Sequence, residues 1–191
     1  MITREEVLDI FKKTGALLEG HFVLTGGLHS PHYFQCAKVL QYPEFAGVLC
    51  AQIVTQYEGR SPDAVIAPAL GGIVVGQEVG RQMNLRTMFT ERKDGSMQLR
   101  RGFSIGPGEK VLVCEDVVTT GGSVTEVLGI VRDMGGVVAG IGAIVDRSGG
   151  KSGLEDFFAP LVLDVLAYRP EACPLCAGGV PAEKPGSRAP K

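Results

Sequence analysis

Val111-Leu112-Val113-Cys114-Glu115-Asp116-Val117-Val118-Thr119-Thr120-Gly121-Gly122-Ser123 is the stretch whose reading decides the fold. It opens with a continuous apolar run, as in a strand buried on both faces. Two adjacent carboxylates follow, then small, hydroxyl-bearing and glycine residues that open into a helix running to Met134 and stopped by Gly135-Gly136. The same rhythm extends outward. Asp63 to Ala67 reads as a short apolar strand, followed by Gly71-Gly72 and a helical stretch to Asn84. Thr87 to Glu91, Val137 to Val145 and Leu161 to Leu166 read as further strands. Apolar strands alternating with helices predict an α/β fold, a central parallel sheet flanked by helices.

Ahead of this lies a different segment. Thr3-Arg4-Glu5-Glu6 is a capping-box pattern before Val7, Leu8, Ile10 and Phe11, with Gly15 as a stop, which predicts an amphipathic helix. Gly20 to Gln35 reads as short strands and a loop, and Pro43 to Glu58 as a helix with proline in its first turn. The helix and hairpin form a hood over the sheet. Residues 1–176 are read as one domain, and residues 177–191, rich in Gly, Pro and Lys, as a flexible tail. Asp94 to Pro107 is polar and basic, and too long for a passive connection, so it is read as a lid or mobile hairpin.

Composition sets the outer bounds. The chain has 191 residues, 45% hydrophobic and 21% charged, with a net charge of -2, which allows a real core and excludes wholesale disorder. Near-zero net charge argues against sequence-independent nucleic-acid binding. The longest apolar run, Val137 to Val145, falls short of a membrane span. The start has no basic region followed by an apolar one, so a cytoplasmic protein is expected. Five cysteines without disulfide spacing read as reduced thiols, with Cys114 an inert core thiol.

The deciding stretch also carries chemistry. Open α/β sheets bind ligands at the C-terminal edge of their strands, where Glu115 and Asp116 fall. Backbone N–H groups of the loop and the helix start form a nest for a phosphate, with Thr and Ser hydroxyls as added donors. Phosphate on one side and carboxylates on the other suit a phosphorylated sugar. The loop is neither a Walker A loop nor a dinucleotide turn.

These thirteen residues closely resemble the phosphoribosyl-pyrophosphate (PRPP) signature of the type I phosphoribosyltransferases, and the resemblance implies that family's fold. Three further motifs point within it. Gly20-His21-Phe22-Val23-Leu24-Thr25-Gly26-Gly27-Leu28-His29-Ser30-Pro31-His32-Tyr33-Phe34 resembles the N-terminal motif of orotate phosphoribosyltransferases. Ala67-Pro68-Ala69-Leu70-Gly71-Gly72-Ile73 resembles their pyrophosphate loop, and Val145-Asp146-Arg147 their Asp-Arg pair. The resemblance implies Mg²⁺-dependent transfer of ribose 5-phosphate from PRPP to orotate in pyrimidine biosynthesis. Glu115 and Asp116 would serve the ribose hydroxyls directly or through metal and water, and Val117 to Ser123 (Val117, Val118, Thr119, Thr120, Gly121, Gly122, Ser123) the 5′-phosphate. Arg92, Lys93, Gly71 and Gly72 would serve the pyrophosphate, with Lys93 catalytic on a lid lent by the neighbouring subunit of a homodimer. Arg147 would pair with the orotate carboxylate, Thr119 would lie against orotate, and Tyr33 and Phe34 would line or stack on its ring. An ion pair with Asp146 is the alternative for Arg147.

The sequence departs from the family pattern at three places. Arg92-Lys93-Asp94-Gly95-Ser96-Met97-Gln98 lacks the lid's second Lys and its His, and Thr25 and Gly71 stand where lysines are common. Arg100, Arg101 and His29 are the candidate substitutes. Cys173-Pro174-Leu175-Cys176 has the spacing of half a zinc site with no second pair nearby, and a zinc shared across a dimer would complete it; the motif around His21, His29 and His32 does not require histidines. Two rival functions remain: transfer to another base, which needs no carboxylate partner, and a non-catalytic PRPP-binding regulator.

Overall fold

Alternation along the strands builds the two faces of the sheet. The computed structural model describes residues 2–24, 26–164 and 166–185; Thr25 and the end of the tail lie outside them. In strands β3 (Ala64–Pro68) and β6 (Lys110–Val118), Val65, Ala67, Leu112 and Cys114 enter one core, and Ala64, Ile66, Val111 and Val113 the other. The first core is closed by α1 (Arg4–Lys13), α3 (Pro43–Tyr57) and α4 (Gly71–Met83), the second by α5 (Gly122–Asp133). Burial on both faces explains the unbroken apolar runs.

The seven-stranded sheet has the order β5-β4-β3-β6-β7-β8, with β9 beside β7. Strands β4 (Arg86–Lys93), β7 (Val137–Asp146), β8 (Phe157–Phe158) and β9 (Leu161–Val162) are parallel to their neighbours in the β3–β6 core of the sheet, and only β5 (Ser96–Leu99) is antiparallel, at the edge. The α/β expectation holds, with two refinements. The strand read over residues 161–166 shrinks to Leu161–Val162, because β9 finds partners only at Val145 and Asp146. Strand β4 runs through Arg92 and Lys93 and turns at Asp94-Gly95, both at positive φ, into β5. The basic segment therefore starts as an ordered hairpin.

The capping box forms as read: the Glu6 N–H donates to Thr3 Oγ1 at 3.2 Å, and the Thr3 N–H to Glu6 Oε2 at 2.7 Å. The hood hairpin is β1 (Leu17–Val23) against β2 (His29–Phe34), followed by the short α2 (Ala37–Leu40). A later segment with α6 (Pro174–Ala177) joins the hairpin through its backbone. Glu183 N–H donates to His21 C=O, Val23 N–H to Glu183 C=O, and Tyr168 and His29 exchange two bonds of 2.8 Å. The segment read from composition as a loose tail is thus tied to the hood as far as residue 183. Among the described residues no helix is long and apolar enough to cross a membrane.

Candidate active site

Strand β6 ends where β3 gives way to α4, so the carboxylates meet the start of a helix. A Cβ built at Gly72 would lie 2.8 Å from Glu115 Oε1, and one at Gly71 would overlap Asp116 Oδ2. Only residues without side chains let the acids come this close. The Asp116 N–H donates to Glu115 Oε1 at 3.0 Å and the Val117 N–H to Asp116 Oδ1 at 2.9 Å, which fixes both carboxyl groups. Glu115 is only 8% exposed, and its pKa is pushed from 4.5 up to about 9, by burial first and then by the Asp116 charge. Glu115 therefore keeps its proton at neutral pH. Asp116 is half-buried.

Beyond the acids the chain turns through Thr119 and Thr120 to Gly121, the residue that starts α5 with φ of +76°. That conformation and Leu154, whose Cγ would lie 3.2 Å from a Cβ at Gly121, both favour glycine. Thr119, Thr120, Gly122 and Ser123 are exposed around a small pocket of about 70 Å³ lined by Glu115 and residues 117–124. Its polar wall and the helix start are features that suit an anion such as phosphate.

Arg147 completes this edge. Its N–H donates to Val118 C=O at 2.8 Å, so the end of β7 is held beside the start of the loop. The guanidinium lies over the Phe34 ring with Cζ 5.9 Å from the centroid. Burial lowers its affinity for a proton, its Nε is buried without a hydrogen-bond partner, and among the described residues no carboxylate is within ion-pair reach. The alternative pairing with Asp146 is not formed. Asp146 instead accepts from Ser148 N–H and Oγ and from Gly150 N–H, capping the next turn.

Tyr33 and Phe34 differ in their surroundings, as neighbours on a strand do. Phe34 is buried against Phe11 beneath Arg147, whereas Tyr33 packs by Phe22 and donates to Gln35 Oε1 at 3.2 Å. Cys36, read from the sequence only as one of five reduced thiols, donates to Asp116 C=O at 3.7 Å; burial, then Asp116, pushes its thiol well up. No motif marked it.

The basic hairpin is engaged elsewhere. Arg92 pairs with Glu126 of α5 at 2.5 Å, and Arg100 and Arg101 both pair with Glu91. Among the described residues, no hydrogen bond or ion pair joins Arg92 or Lys93 to residues 115–123. Of the candidate substitutes, Arg100 and Arg101 are thus occupied, and His29 lies in a separate cluster with His21, Cys173 and Cys176. The sequence reading left that cysteine pair without partners, and the fold supplies them. The Asp116 carboxylate at this oxygen-lined edge fits Mg²⁺, which takes hard ligands and keeps water.

A Phosphoribosyl transferase domain matches residues 46–153, and the fold is that of a phosphoribosyltransferase. The chain is 56% identical over 184 residues to the orotate phosphoribosyltransferase of Chlorobium phaeobacteroides, covering 96% of this chain and 95% of that relative. It belongs to the orotate phosphoribosyltransferase family. The crystal structure of orotate phosphoribosyltransferase from Aeropyrum pernix shares the fold with a TM-score of 0.69 at 23% identity, covering 82% of this chain and 93% of that one. The adenine phosphoribosyltransferase of Rhodothermus marinus does so with a TM-score of 0.65 at 19% identity, covering 83% and 99%. The fold is therefore indifferent to the base.

Proposed function

We propose that this chain transfers ribose 5-phosphate from PRPP to orotate, giving orotidine 5′-monophosphate and pyrophosphate, in pyrimidine biosynthesis. The observation that carries the choice of base is Arg147: a half-buried cation beside the phosphate loop, with one nitrogen unpartnered and no protein carboxylate in reach. A planar carboxylate on the acceptor supplies the missing partner through paired charge-assisted bonds. Purines carry none.

Residues 119–123 and the start of α5 hold the 5′-phosphate, leaving the sugar across Glu115 and Asp116. Protonated Glu115 donates to one ribose oxygen and Asp116 accepts from a hydroxyl, so the pair orients the sugar without stacking two charges under it. The C1–O bond to pyrophosphate breaks, pyrophosphate leaves with the electron pair, N1 of orotate bonds to C1, and the N1 proton passes to water. No protein nucleophile is required; positioning and charge stabilisation carry the rate. Asp116, the ionised member of the pair, would hold Mg²⁺, which when bound would supply neutralisation of pyrophosphate charge. Lys93, which makes no contact with its own signature loop, is assigned to the site of a partner subunit in a cytoplasmic homodimer.

The test is an acceptor panel of orotate, adenine, hypoxanthine and uracil with PRPP and Mg²⁺. Turnover with orotate alone is expected. Arg147→Ala should raise the KM for orotate roughly 10–100-fold, the worth of charge-assisted hydrogen bonds, and barely change that for PRPP. Turnover with a purine, or an unchanged orotate KM, would overturn the reading; saturable PRPP binding without turnover would favour the regulator.

A further inference from the structure

Four soft or borderline ligand atoms meet at the far end of the hood hairpin from Phe34. His21 Nε2 on β1 lies 2.8 Å from His29 Nδ1 on β2, 3.5 Å from Cys173 Sγ and 3.7 Å from Cys176 Sγ; Cys176 Sγ is 3.2 Å from His29 Nδ1. All four atoms fall within 4.8 Å of one another. We propose that His21, His29, Cys173 and Cys176 bind a structural Zn²⁺ ion, within one chain and separate from the carboxylate edge where chemistry occurs.

The geometry is that of a tetrahedron with its centre ready for a cation. Zinc bond lengths set edges of about 3.3 Å between nitrogens and about 3.8 Å between sulfurs, with mixed edges between these. Two of the nitrogen–sulfur separations, 3.5 and 3.7 Å, fall in that range, while the 3.2 Å nitrogen–sulfur and the 2.8 Å nitrogen–nitrogen edges must open, the latter by about half an ångström. Two imidazoles and two thiols are the donor set that selects zinc over hard cations, and four protein ligands leave no open position for catalysis.

A second observation fixes the tautomer. His21 Nδ1 lies 2.7 Å from the Val180 carbonyl, which can only accept, so Nδ1 carries the proton. Nε2 is then a bare lone pair, held by 3% exposure among three other ligand atoms. A carbonyl behind a histidine is the arrangement that orients a metal ligand. Backbone bonds give the cluster a reason to exist: Glu183 N–H to His21 C=O and the exchange between His29 and Tyr168 bring the C-terminal segment across the hairpin. Neither element has a large core there, and a metal joining them would fix the hood that presents Phe34 to Arg147.

The experiment uses the full chain without a histidine tag. Elemental analysis should give one zinc per chain, and replacement by Co²⁺ should give the visible bands of tetrahedral coordination with thiolate charge transfer. Cys176→Ser, at an exposed position, and His21→Ala should each weaken metal binding at least tenfold, whereas His32→Ala, in the same hairpin but outside the cluster, should keep one zinc. Metal-free protein that takes up no Co²⁺ with a tetrahedral spectrum overturns the proposal, and so do bound iron in place of zinc, zinc retained by both ligand variants, or a Cys173–Cys176 disulfide in protein purified without oxygen. None of these readouts depends on which base is the acceptor.

Discussion

Glu115 couples the chemistry of the site to the stability of the chain. Burial and the neighbouring Asp116 raise its folded-state pKa from 4.5 to about 9. Between those values the folded protein holds a proton that the unfolded chain has lost, so unfolding releases a proton and stability falls as pH rises across the window. The slope attributable to this one group is at most ~1.4 kcal/mol per pH unit. Urea unfolding of the wild type and of Glu115→Gln from pH 5 to 9 isolates it. The wild-type midpoint should fall toward high pH relative to the variant, whose amide cannot ionise. Parallel curves would mean that Glu115 is already ionised in the folded protein. The carboxyl group thus appears in a role that sequence alone did not distinguish from its neighbour: adjacent acids, of which the buried one keeps its proton.

At the level of elements, the close approach of α4 to the end of β6 sets where those acids can stand. Gly71 leaves the room that the Asp116 carboxylate occupies. Gly71→Ala should fold normally, since the clash is with the tip of a side chain, yet displace Asp116. A misplacement of this order in the catalytic constellation costs roughly 100-fold in kcat, and thermal unfolding should barely move; wild-type kcat in the variant would show that Asp116 has no fixed task. The reading of elements succeeded where one local signal dominated. The buried runs of β3, β6 and β7, the capping box of α1 and the glycine entry to α5 were all legible, because each is set by residues within a few positions. It stopped short at β4, whose last residues are Arg92 and Lys93: charged strand ends carry no hydrophobic period, and pairing with β5 decides them. It failed for the cysteine pair, whose histidine neighbours lie about 150 positions away and come together only through the fold.

On the scale of the whole molecule, the chain brings a polar loop pocket, paired acids and an unpaired arginine to one edge, but its own Arg92 is committed to Glu126, and among the described residues no hydrogen bond or ion pair joins Lys93 to that loop. The leaving pyrophosphate is the most highly charged group in the proposed reaction, and beyond the metal it calls for a cationic side chain that Arg92, paired with Glu126, does not lend to its own site. A second copy would supply one. The packed helices α3 and α4 leave Val48 and Val74 exposed, and Leu70, just ahead of α4, is 83% exposed, apolar side chains that a partner could cover. Sharing in trans has a numerical signature. Lys93→Ala and Asp116→Asn subunits, each nearly inactive alone, form heterodimers in which one site receives both defects and the other neither. With random exchange half the dimers are mixed and one of their two sites is intact, so activity should return to roughly a quarter of wild type. If the lid served its own chain, every site in the mixture would carry a defect and no activity would return. Size-exclusion chromatography of the same mixture tells absence of sharing from absence of a dimer.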